Sequence, residues 1–134
     1  MEIIGLIIAV AGLYIAYITL KKSFPSVIPE PIEEKNNLLV NFKTNQILSI
    51  EVQNLISTHI QNNDAANNLI FEGVTFEKYL TLMKSEFNKC LSNELYEKIS
   101  KETLTKPNIQ SMLESLTVQK TALTELKGFM LTLS

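Results

Sequence analysis

PNIQSMLESLTVQKTALTELKGFMLTL, residues 107–133, is the stretch from which the fold is read. Ile109, Met112, Leu116, Gln119, Leu123, Leu126, Met130 and Leu133 follow one another at spacings of three and four. That rhythm puts them on one face of a helix. Pro107 is expected at N1 of the helix, where its missing N–H costs nothing. The stripe is a heptad seam with one polar member, Gln119, and a polar residue on such a seam can fix register or partner number. Two uses of the seam stand open. Ile109, Met112, Leu116, Gln119, Leu123, Leu126 and Met130 are candidates for contact with another chain, or they form the long side of an intramolecular bundle. Leu113 and Phe129 widen the stripe and favour the bundle. Gly128 weakens the helix by about 1 kcal/mol and marks a fray or a close contact.

Upstream, Ser92 opens a shorter helix over about 93–104 with Leu95 and Ile99 inward. Glu94, Glu97, Lys98, Lys101 and Glu102 form its solvated face. Before it, Phe76, Leu80, Met83, Phe87 and Cys90 recur at spacings of four and three, which predicts a helix from Phe76 to Leu91 with Thr75 as N-cap. Cys90 continues that stripe and reads as a small core hydrophobe. Residues 62–74 are an Asn-rich polar loop that nevertheless contains Leu69, Ile70 and Phe71. This triplet either folds back onto the core or offers a patch to a partner.

A further helix is expected from about Thr44, with Thr44 or Asn45 as N-cap. Ile47–Leu48, Val52, Leu55–Ile56 and His59–Ile60 supply its apolar side, and Asn62, Asn63 and Asp64 end it. Leu38, Val40 and Phe42 alternate as in a short strand or docking segment. Pro25, Pro29 and Pro31 make residues 23–43 read as an extended, semi-rigid spacer.

Ile3 to Leu20 is a run of 18 residues without a formal charge, between Glu2 and Lys21–Lys22. As a helix it would extend about 27 Å, the thickness of a bilayer's hydrocarbon core. Residues 1–22 are therefore expected to be a transmembrane anchor. Lys21 and Lys22 are expected to set an inner-membrane topology, N-terminus out and the remainder cytoplasmic. Gly5, Ala9, Gly12 and Ala16 align on one stripe, where small side chains let two membrane helices pack closely.

The expected class is all-α: one N-terminal transmembrane helix, a proline-containing linker over 23–43, and a cytosolic bundle of about four helices over 44–134. Beyond residue 22 the formal charge is about −3, from ten Lys against thirteen carboxylates, and arginine is absent throughout. Arginine is the preferred reader of phosphate and guanine, so nucleic acid is an unfavoured partner. Abundant Asn, Ile and Lys without Arg is the bias of an AT-rich bacterial or phage coding genome. The single cysteine excludes an intrachain disulfide, and His59 is the only histidine, short of a metal site or a triad. No phosphate loop, HExxH, CxxC or GxSxG motif occurs. These observations imply no enzyme, metal or cofactor. The expected function is a single-pass membrane anchor, adaptor or scaffold. Its helical domain would bind a protein partner or assemble with copies of itself, with membrane lipid around the anchor. The alternative is a signal- or ligand-gated effector of toxin or phage-defence type, perturbing the bilayer by clustering its membrane helix. A small signalling ligand between subunits is a third expectation.

Overall fold

Why the chain folds as it does is clearest at its helix ends. A computed structural model describes residues 30–133. Helix α1, Ile32–Asn63, starts at the carbonyl of Pro31, which accepts from Lys35 N at 3.0 Å. Glu33 and Glu34 in its first turn suit the positive end of the helix dipole. Asp64, left-handed at φ 48°, turns the chain out of α1. Strands β1 (Leu69–Phe71) and β2 (Val74–Thr75) form a small antiparallel hairpin around Gly73, whose φ of +75° suits glycine.

Helix α2 (Phe76–Cys90) is capped by the Thr75 hydroxyl, which accepts from Lys78 N at 3.1 Å. Helix α3 (Asn93–Lys101) is capped by the Ser92 hydroxyl, which accepts from Leu95 N, also at 3.1 Å. Helix α4 (Lys106–Thr132) is capped by Thr105, with proline in its first turn. The Thr75 and Ser92 starts are as the sequence predicts, Pro107 falls second in α4 behind Lys106, and helix makes up most of the described residues, so the class is all-α.

The topology is up, down, up. Lys106 lies 3.9 Å from Glu34, Asn45 reaches Leu116 and Gln119, and Lys127 pairs with Glu51. These contacts make α1 and α4 parallel neighbours along their length. The His59 and Phe76 rings meet at 4.7 Å, Gln46 bonds to Leu91, and Phe42 meets Tyr96 at 5.7 Å. Hence α2 and α3 together form one broken rod that runs back along α1. The expectation of about four bundle helices becomes three rods, the middle one interrupted at Leu91–Ser92. The hairpin folds against the bundle through Ile70 and through Phe71, whose ring meets Tyr79 at 5.5 Å and Phe129 at 6.3 Å.

Two expectations are corrected. The first helix begins at Ile32, not near Thr44, so the spacer read over 23–43 gives way to helix within its length. Leu38 and Phe42 are buried as i and i+4 residues of α1, not as alternate residues of a strand. The inner-membrane, single-pass placement, N-terminus out and C-terminal domain cytoplasmic, is also corrected. Among the described residues no helix is long and apolar enough to cross a membrane. The anchor, its stripe of Gly5, Ala9, Gly12 and Ala16, and Lys21 and Lys22 lie outside the described residues.

Candidate functional site

The α4 seam is consumed inside the chain. Ile109, Met112, Leu116, Gln119, Leu123, Leu126 and Met130 are all buried, and α4 packs chiefly on α1. None of these side chains is available to a second copy without opening the fold.

The facing side of α1 is partly polar: Asn45, Gln46 and Ser49 are buried beside Leu38, Phe42, Val52 and Ile56. Asn45 Nδ2 donates to Leu116 O at 2.9 Å and to Gln119 Oε1 at 2.8 Å. Asn45 Oδ1 and Gln119 Nε2 have no hydrogen-bond partner. Gln119, the polar member of the seam, thus meets an amide across the α1–α4 contact. Gln46 Nε2 donates to Leu91 O at 2.6 Å and Asn93 Oδ1 at 3.1 Å. It thereby satisfies a carbonyl released where α2 ends and α3 has not begun. The Tyr79 hydroxyl is buried without a partner, and burial pushes its phenol well above the ordinary range.

The outside of α1 carries four exposed large apolar residues among charged and polar ones such as Glu33, Asn36, Lys43, Glu51 and Asn54. Ile32 is 70% exposed, Val40 64%, Ile47 60% and Ile50 46%. Beside this face run two shallow depressions between α1 and α4, of about 360 and 330 Å³. Both include Glu51 and Lys127, so the ion pair divides one groove. The larger, towards the ends of the two helices, is lined by Leu55, Thr58, His59, Asn62, Met130 and Leu131.

Glu51 and His59 both line the larger depression and stand apart. The His59 ring lies tilted at 46° against Phe76, and its Nδ1 is 3.2 Å from Asn63 Nδ2. Glu51 stands eight residues before it on the same helix, about 12 Å along the axis. Among the described residues no group of three or more His, Cys, Asp or Glu is placed to hold a metal ion.

The Leu69–Ile70–Phe71 triplet divides. Ile70 is buried, Phe71 is half-buried in the aromatic cluster, and only Leu69, 62% exposed, faces outward. Cys90 is buried within the apolar core. Sequence reasoning takes Asn45 for a possible N-cap and misses Gln46 and the outer stripe. The periodicity groups Ile47 with the inward residues, although its spacing of seven from Val40 and three from Ile50 sets the three apart. Comparison with family models, curated proteins and solved structures returned no match.

Proposed function

We propose that this chain is a non-enzymatic helical interaction module that acts by self-assembly or by docking a protein partner. The observation that carries this reading is the exposed apolar stripe Ile32, Val40, Ile47 and Ile50 on α1. Single exposed apolar side chains are ordinary, but several aligned on one helix mark contact with another macromolecule. The core does not require them, since α1 already buries its opposite face against α4, α2 and α3. The acidic balance without arginine favours protein over nucleic acid as that macromolecule.

The test is light scattering on the full chain across a dilution series, in a mild detergent suited to its uncharged residues 3–20. A mass above that of one chain, falling on dilution, is the expected result. A single-chain mass at every concentration would remove self-assembly and leave only the docking of a different protein.

A further inference from the structure

We propose that α3 is a flap on the bundle, hinged at the Leu91–Ser92 joint, and that it opens as α2 and α3 fuse into one helix. The proposal goes beyond the self-assembly reading and does not depend on it.

The joint is closer to helix than to loop. No glycine or proline lies between Phe76 and Lys101. Leu91 N still donates to Phe87 O at 2.8 Å, and Tyr96 N already donates to Ser92 O at 3.0 Å, both in helical register. Leu91 stands at φ −130°, ψ 18°, and Ser92 at φ −69°, ψ 154°. Ser92 therefore has a helical φ. Rotation about its ψ, with smaller adjustments at Leu91, makes the chain helical throughout. Hinges work in this way, through a few element-ending residues that absorb the change.

Two side-chain bonds hold the break. In a continuous helix Leu95 N would donate to Leu91 O. Here Leu95 N donates to the Ser92 hydroxyl at 3.1 Å, and Leu91 O accepts from Gln46 Nε2 at 2.6 Å. One backbone bond is exchanged for two to side chains, one of them on α1. The far end of α3 is also held by α1. Lys35 Nζ donates to Glu102 O at 2.7 Å and pairs with Glu30 at 2.6 Å, its side chain only 12% exposed. Gln46 and Lys35 are eleven residues apart, as are Leu91 and Glu102. Helix α3 thus lies flush along α1 in the opposite direction, clasped at both ends.

Between the clasps the Tyr96 ring meets Phe42, and Leu95 and Ile99 are the buried residues of α3. At nine residues α3 is too short to persist without tertiary contacts, and those it has are chiefly with α1. Short elements with few buried apolar side chains open ahead of global unfolding. Opening bares Phe42, Leu95 and Ile99, apolar surface that the closed molecule hides.

The test is hydrogen exchange on the full chain in mild detergent, with α3 read against α4 within each variant. In the wild type α3 is expected to exchange at least about tenfold faster than α4. Ser92→Ala removes the cap and Gln46→Leu the clasp, and each is expected to speed α3 relative to α4 by about fivefold. Asn93→Pro is expected to act in the opposite sense. Proline suits the first position of α3, with Ser92 extended before it, but it blocks a helix running through the joint. It also gives up the 3.1 Å bond from Gln46, so without fusion it would speed α3. Slower α3 exchange in Asn93→Pro therefore supports the hinge, and faster exchange would overturn it. Wild-type α3 exchanging in step with α4 would overturn the flap altogether. Unchanged exchange in Ser92→Ala and Gln46→Leu would show that these bonds do not hold the joint.

Discussion

Replacing the Asn45–Gln119 amide pair by leucines, singly and together, is expected to give stabilities that do not add. In the wild type Asn45 Nδ2 has two acceptors, while Asn45 Oδ1 and Gln119 Nε2 are buried without partners. Each made bond contributes about 1 kcal/mol net, and each buried unpaired polar atom costs about 1–3 kcal/mol. Asn45→Leu removes both bonds and strands Gln119 with neither of its polar atoms paired, so a loss of about 1–3 kcal/mol is expected. Gln119→Leu removes one bond but also an unpaired donor, and Asn45 keeps Leu116 O. Its expected effect is within about 1 kcal/mol of zero. The double variant has no buried amide and is expected to be more stable than the wild type by about 2 kcal/mol, as apolar replacements of buried polar pairs often are. Thermal unfolding of the full chain followed by far-ultraviolet circular dichroism measures this, at about 5 °C per kcal/mol for a domain of this size. If the two single effects simply sum in the double variant, the amides are not energetically coupled and the reasoning fails. The pair has a second role. A slip of α4 by one turn would set Asn45 against an apolar part of the seam, so the leucine double variant is expected to lose register specificity as it gains stability.

Tyr79→Phe is expected to flatten the alkaline side of the stability profile. Burial raises the folded phenol above its ordinary value of about 10, so the unfolded chain releases this proton first. Stability is then lost as pH rises above about 10, and removal of the hydroxyl removes that share of the loss; unchanged alkaline unfolding would refute it. The two glycines of the described chain are expected to respond in opposite directions to alanine. Gly128→Ala, with open space where the Cβ would lie in α4, should stabilise by about 1 kcal/mol. Gly73→Ala, at φ +75° in the hairpin turn, should destabilise by a similar amount, about 1 kcal/mol. Melting temperatures of the two variants check both signs.

Sequence reasoning succeeded where local chemistry and periodicity agree. Thr75, Ser92 and Pro107 each stand at a helix start, and the α4 stripe runs unbroken except at Gln119. It failed on α1 for a physical reason. The inward face of α1 carries Asn45, Gln46 and Ser49, so its apolar rhythm lapses in the middle of the helix. The outward face carries Val40, Ile47 and Ile50, which fill the lapse with hydrophobic residues of the wrong direction. Polar residues inside and apolar residues outside together displaced the expected start to Thr44. Only tertiary contacts with Leu116, Gln119 and Leu91 show which face is buried. The candidate interaction face was hidden by the same reversal, because Ile47 looked like core.

The parallel pairing of α1 with α4 has a consequence for biosynthesis. The broadest contact of the domain joins its first helix to its last, with Asn45 and Gln119 separated by 74 residues. During translation the inward face of α1 is complete by Asn63, but its main partner ends only at Thr132. At about 5–20 residues per second, the intervening stretch of about 70 residues takes roughly 3–14 s to synthesise. For that interval Asn45 and Glu51 lack their α4 partners, and the inward apolar face of α1 lacks its broadest cover, the state in which chaperones that hold apolar surface bind a nascent chain.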